Sequence, residues 1–291
     1  MSNLGKTFKK IRKTKNLTLE EVAGDDFSVS MLSKFENGKT EISAEKLNRA
    51  LSNMRVSIEE YYYLAKGMEN DDFMKVYYKS VKYRYQKNIT ALKKLYQEEL
   101  DLGKKNKYGK YHILNSIIVA YSIRMIDNTF DIPDEHRKLL HDYLFGIEMW
   151  GQYEMILMTS IVSFTNSNIY LNYAREMFKN VDYLKEASTI LNAIQMVVLH
   201  GLSLCIGENN DFGVTYFYKK AKEYIEGDRD KYMVIIFMFF EGQYYIYKND
   251  IEKGKELMKK CIKIFEAIGD LSSASYYQKY YDEIIEELER Q

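Results

Sequence analysis

Apolar positions recur with a helical period along the chain, and no stretch keeps the alternation of a half-buried strand. Leu4, Phe8 and Ile11 share one face of a first helix, with lysines distributed around the others. Thr18-Leu19-Glu20-Glu21 reads as a capping box opening a second, short helix through Val22 and Ala23. Gly24-Asp25-Asp26 is turn chemistry, and Ser28 is spaced to cap a third helix. In that helix Leu32 and Phe35 fall inward, while Val29, Ser30, Ser33 and Lys34 point away. Gly38 supplies the positive φ that ends it. Ser43 caps a fourth helix with Leu47, Ala50, Leu51 and Met54 inward, and Ser57-Ile58-Glu59-Glu60 opens a fifth. The second and third helices, joined by a tight turn, form a helix-turn-helix. A short helix with a buried seam and a small outer face is one that a DNA major groove can admit. On these residues alone an ordinary surface helix would look the same.

From Phe73 onward the 3.6-residue period dominates. It breaks at 103–109, 127–134, 166–168, 180–182, 207–211, 226–230, 248–250 and 269–271, which predicts about nine or ten helices joined by short loops. Gly242, Tyr245, Gly254, Met258 and Cys261 are spaced like a tetratricopeptide repeat, with small residues at close helix contacts. About forty residues earlier the small positions fall on Val214 and Ala221, and forty before that on Ala174 and Val181. The expected fold is therefore all-α. A five-helix helix-turn-helix domain spans 1–66, a short linker 67–72, and a solenoid of helix pairs with a concave face 73–291.

First helices of such pairs line the concave face. They carry Tyr153, Met155, Met158, Asn192, Gln195, Met196, Phe237, Phe240, Gln243 and Tyr244. Asn and Gln can pair with the main chain of an extended peptide, while Met, Phe and Tyr offer adaptable apolar pockets. The candidate peptide-binding set is Tyr153, Met158, Asn192, Gln195, Phe237, Phe240 and Gln243; Met and Phe at helical spacing equally suit a core. The last helix, with Tyr276, Tyr277, Tyr280, Tyr281, Ile284 and Ile285, is the candidate dimer surface, a capping helix being the alternative.

Charge changes the picture locally. The chain has 42 Lys+Arg and 42 Asp+Glu, but residues 1–68 hold 12 bases against 9 acids, a net of +3. Lys6, Lys9, Lys10, Arg12, Lys13 and Lys15 stand in the first fifteen residues with no acid among them, which suits a phosphate backbone. Cys205 and Cys261 lie in apolar helical patterns and read as reduced, buried thiols. No signal peptide is expected, and apolar runs such as 233–240 fall short of a membrane span, so a cytoplasmic protein without membrane contact is expected. His112, His136, His141 and His200 are scattered without metal-ligand spacing, and no phosphate-cradling glycine loop or nucleophile elbow is present. Glu98-Glu99 and Glu286-Glu287 read as solvated charge. Neither a catalytic site, a cofactor nor a metal is expected.

The N-terminal plan resembles the lambdoid-repressor-like DNA-binding domain. Arg12 and Glu36 stand where such domains carry a buried ion pair, and Ser30-x-x-Ser33-x-Phe35-Glu36-x-Gly38 follows the family's spacing. The resemblance assigns Val29, Ser30 and Ser33 to base edges, with Val29 against a thymine methyl. It assigns Lys6, Lys10, Ser28, Lys34, Lys39 and Thr40 to phosphates, and keeps Arg12 and Glu36 structural. From end to end the chain resembles the Rgg/GadR/MutR family, through the string Ser28–Gly38, Ile42-Ser43, and Val56-Ser57-x-Glu59-Glu60-Tyr61-Tyr62-Tyr63. This resemblance implies a homodimeric regulator that binds double-stranded DNA and responds to a short apolar signalling peptide held by the repeat domain. The reading from another class is a protein-interaction module, its groove binding a protein partner and its N-terminal domain used for docking.

Overall fold

A computed structural model of the chain describes residues 4–25, 27–66, 72–105, 107, 109–181, 188–227 and 230–290. The chain divides into two compact units, residues 1–75 and 76–291. The expected linker 67–72 lies, apart from Asp72, outside the described residues.

In the first unit, α1 (Leu4–Thr14), α2 (Leu19–Ala23), α3 (Val29–Glu36), α4 (Ala44–Asn53) and α5 (Ile58–Lys66) enclose one core. The caps are those the sequence predicts. Thr18 and Glu21 close a capping box, and the Ser28 and Ser43 hydroxyls accept from Met31 and Lys46 N–H. α3 stops in a Schellman motif. Gly38 takes φ +69°, its N–H donates to the Phe35 carbonyl, and Lys39 N–H donates to that of Lys34. Phe8, Leu32, Leu51 and Tyr61 are fully buried, and Phe8 packs edge-on against Phe35 and Tyr61 at 5.5 and 6.3 Å. The Tyr61 hydroxyl donates to the Leu4 carbonyl at 2.9 Å, tying α5 to α1. Gly5 lets α1 lie directly on the end of α3, because a Cβ there would overlap the Phe35 carbonyl oxygen.

The remaining helices are α6 (Asp72–Tyr85), α7 (Ile89–Lys105), α8 (Gly109–Arg124), α9 (Asp134–Phe145), α10 (Gln152–Ile161), α11 (Ser167–Asn180), α12 (Ser188–Gly207), α13 (Asp211–Ile225), α14 (Lys231–Tyr247), α15 (Ile251–Ala267) and α16 (Leu271–Glu289). Among the described residues these are eleven, not the nine or ten expected. Two breaks escaped the sequence reading. One is at Lys87, a non-glycine residue at φ +51° followed by Asn88, whose side chain accepts from Ala91 N–H. The other precedes α10 and holds the fully buried Trp150.

Helices α8, α10, α12 and α14 pack on one another in succession, with α7 and α9 against α8, α11 and α13 against α12, and α15 against α14. Two layers of helices result. The small residues sit where this packing is closest: a Cβ on Gly242 would meet the Gly254 carbonyl and Met258, and Val214, Ala221, Ala174 and Val181 are fully buried. One apolar stretch is longer than expected, since Ile190–Gly207 is long and apolar enough to cross a membrane by length and composition. Its place explains that composition. α12 is covered by α10, α11, α13 and α14, so apolar residues face neighbours on several sides.

Candidate nucleic-acid interface and a tyrosine-lined basin

α3 is held from behind by a charged clamp. Arg12 Nε and Nη2 donate to the two Glu36 carboxylate oxygens at 2.6 and 2.8 Å, while Nη1 donates to the Leu17 carbonyl at 2.7 Å. The Arg12 and Glu36 side chains are only 11% and 2% exposed. The hydrogen bond to Glu36 raises the Arg12 pKa against the lowering effect of burial, so the guanidinium stays charged. A bidentate pair of this kind fixes orientation as well as distance. With Leu32 and Phe35 buried beside it, the inner face of α3 has one register.

The outer face is open. Val29, Ser30, Lys34, Lys39 and Thr40 are exposed, Ser33 is half-buried, and Lys6 and Lys10 are exposed on α1. Ser28 is exposed as well, but its oxygen is already engaged as the cap of α3 at 3.3 Å from Met31 N. Two cations that the family resemblance does not assign to phosphates adjoin this face. Lys9 Nζ donates to Asn37 Oδ1 at 2.9 Å at the end of α3, and Lys46 Nζ lies 3.7 Å from Met31 Sδ. Only the fold brings them there. The helix therefore presents small side chains bordered by ammonium groups, the arrangement that positions a helix on phosphates and leaves its first turn for base edges.

In the second unit, burial removes most of the candidate peptide residues from any open surface. Met158 and Gln195 are 0% exposed, and Phe237, Phe240 and Gln243 are 4, 6 and 6%. Met155 is equally buried. Gln195 Nε2 donates to the Tyr224 carbonyl at 2.9 Å, so its amide serves the α12–α13 contact. Tyr153 joins Tyr111 and Tyr143 in an edge-to-face trio, its hydroxyl directed at Asn115 Oδ1 at 3.3 Å. Tyr244 stacks flat on Tyr218 at 3.7 Å. Asn192 is exposed and Met196 half-buried, and these two remain available. Glu99 is also corrected: it is 4% exposed rather than solvated, and receives His112 Nδ1 and Asn115 Nδ2 at 2.9 and 3.2 Å. The α16 stripe is largely spent within its own chain. Tyr277 and Tyr281 are buried, and the Tyr280 hydroxyl pairs with Ser203 Oγ at 2.8 Å.

A different set of residues converges instead. The Arg84 guanidinium lies 5.7 Å from the centres of the Tyr121 and Tyr85 rings and acts electrostatically on Tyr77 and Tyr276. Tyr121 in turn lies beside His200, ring centres 6.1 Å apart, and His200 Nδ1 meets the Thr159 carbonyl at 3.1 Å. Ser203, one turn from His200, carries the contact to Tyr280. Burial pushes the His200 pKa down to about 4, Arg84 adding to this and the Thr159 carbonyl opposing it, so the imidazole is neutral. Arg84 makes no ion pair among the described residues. Here α6, α8, α10, α12 and α16 bring a cluster of tyrosines around Arg84. Sequence reading had no signal for it, since its members lie up to 203 positions apart (77 to 280).

Residues 93–279 match the family model of the HTH-type transcriptional regulator Rgg, C-terminal domain, and residues 8–61 match a helix-turn-helix model. The chain is similar to the SHP pheromone receptor Rgg2 of Streptococcus dysgalactiae, with 25% identity, TM-score 0.79, and 96% of this chain and 99% of that one covered. It shares its fold with the PrgX/iCF10 complex at 16% identity, TM-score 0.74 and coverage of 96% and 95%. The same fold occurs in a bacterial peptide pheromone/receptor complex at 16% identity, TM-score 0.70 and coverage of 99% and 98%. The chain belongs to the Rgg family of helix-turn-helix transcriptional regulators.

Proposed function

We propose that the chain is a homodimeric regulator whose paired α3 helices read two DNA half-sites and whose affinity for them is set by a short peptide in the tyrosine-lined basin. The observation that carries the DNA reading is the clamp of Arg12 and Glu36 behind α3, which fixes the helix with Val29, Ser30, Lys34 and Lys39 exposed and Ser33 half-buried. Phosphate contact falls to Lys6, Lys10, Lys34, Lys39 and Thr40, and Lys9 and Lys46 extend the same border. Valine and serine carry little direct base code, so part of the specificity is assigned to DNA shape.

For the effector, relatives of the same fold are a pheromone receptor and a peptide pheromone/receptor complex. In this chain the basin offers Arg84 to a peptide carboxylate, tyrosine hydroxyls to its main chain, and ring faces to apolar side chains. A peptide that binds the DNA-competent and DNA-incompetent arrangements unequally must shift one against the other, and DNA must shift peptide affinity by the same factor. A cytoplasmic location follows from this role.

Electrophoretic mobility shift with the Lys34→Glu/Lys39→Glu variant tests the interface. Reversing four charges per dimer should abolish DNA binding while leaving the second unit folded. Retained binding by that variant would refute the assignment. The protein-interaction reading expects the same variant to leave partner capture and every other property of the chain untouched, with no DNA binding by the wild type to lose.

A further inference from the structure

A pocket of about 330 Å³ lies where the turn between α10 and α11 meets the end of α8, a size at the lower end of small-molecule sites. Its polar wall is built from Arg124, Asp131 and Arg137, its apolar wall from Phe164 and Ile169. Arg137 is largely engaged. Nη2 meets both Asp131 oxygens at 3.1 Å, and Nη1 donates to the Phe164 carbonyl at 2.8 Å. Arg124 is not. Nη1 donates to the Phe130 carbonyl at 2.8 Å and stands 3.5 Å from Asp131, while Nε and Nη2 meet no acceptor among the described residues. The guanidinium also lies 5.4 Å from the centre of the Phe164 ring. In the same wall Thr165 Oγ1 is shut off from solvent with no hydrogen-bond partner among the described residues. A native structure holds few such groups, and each calls for an explanation.

Two guanidinium groups share one carboxylate, which leaves a single net positive charge. Asp134, 3.5 Å from Arg137 Nε, is fully exposed and screened by water. The charge count favours a monoanion, and Asp131 opposes a dianion. A planar carboxylate matches the fork geometry of the free Arg124 edge, and a compact apolar body matches Phe164 and Ile169. We propose that this pocket binds a small organic monocarboxylate, held by Arg124 and seated on Phe164 and Ile169. The pocket shares no residue with the tyrosine cluster, and Arg137 and Ile169 come from α9 and α11, which contribute none of the residues named there. It does not depend on the peptide reading.

Isothermal titration of the full chain with benzoate, 4-methyl-2-oxopentanoate, benzamide and inorganic phosphate tests this. The expected result is saturable binding of at least one carboxylate and none of benzamide. Arg124→Gln should weaken it by more than about tenfold, the worth of a charge-assisted hydrogen bond. Ile169→Trp, which fills the pocket from a residue 36% exposed and leaves every charge in place, should abolish it without lowering the melting temperature. This second variant keeps the test sound if Arg124→Gln disturbs the fold. Carboxylates that do not bind, that bind no better than benzamide, or that bind Ile169→Trp unchanged would overturn the proposal. Binding of phosphate alone would overturn the monocarboxylate assignment.

Discussion

Arg12→Met is the most informative single change in the DNA-binding unit. It removes the cation from a carboxylate that is only 2% exposed on its side chain, leaving Glu36 buried without a partner. Breaking a buried pair from one side costs about 3–5 kcal/mol, most of it the desolvation of the charge left behind. Arg12 keeps an 11% exposed edge, which lets water reach the site and favours the lower end, about 3 kcal/mol. Removing Glu36 as well lifts that penalty. The Arg12→Met/Glu36→Leu variant then loses chiefly the hydrogen bond to the Leu17 carbonyl, about 1 kcal/mol. The double variant should therefore be more stable than the single one by about 2 kcal/mol. Hydrogen exchange of α1 and α3 amides in the full chain reads this opening free energy locally. A single variant within about 1 kcal/mol of wild type, or a double variant no better than the single, would refute the view that the pair is a buried clamp.

Two further tests address the second unit. His200 titrates near 4 in the folded chain against an ordinary 6.5, so the unfolded chain takes up its proton first as pH falls. Stability should be fully present above about 6.5 and decline towards 4, by roughly 1–2 kcal/mol between pH 7 and pH 5. Burial lowers His136 and His141 too, with the same sign. Denaturation midpoints against pH check this, and a His200→Gln variant with an unchanged slope would contradict it. Separately, Gly242→Ala should cost about 1–3 kcal/mol, because the new Cβ meets the Gly254 carbonyl 2.7 Å away and backbone cannot step aside as a side chain can. A melting temperature equal to wild type would show that α14 and α15 are not packed this closely.

What could be read from sequence was what local chemistry encodes. The caps at Thr18, Ser28 and Ser43 and the stop at Gly38 lie within a few residues of the helices they bound, so a linear pattern suffices. Arg12 and Glu36 were found through a family resemblance, not through periodicity. The candidate peptide surface failed for a physical reason. In a layered array the helices α10, α12 and α14 have neighbours on several sides, so helical spacing cannot say which apolar stripe is open. Met158, Gln195 and Phe240 took the covered sides. Glu99 looked solvated because the groups that hold it, His112 and Asn115, come from the next helix. Arg84, Tyr121, His200 and Tyr276 could not be grouped at all before the chain was folded.

The central claim is that α3 and its lysine border bind DNA as a pair. On the proposed reading, Lys6, Lys10, Lys34 and Lys39 on each of two protomers would make eight phosphate contacts. Counterion release then gives log Kobs a slope of about −7 against log[salt]. Measured on the full chain with the DNA upstream of its own gene, binding should weaken by about four orders of magnitude between 50 and 200 mM salt. A synthetic apolar peptide with a free C-terminal carboxylate should shift the curve, and should fail to do so in Arg84→Gln. A slope near zero, or no binding at low salt, would contradict the account.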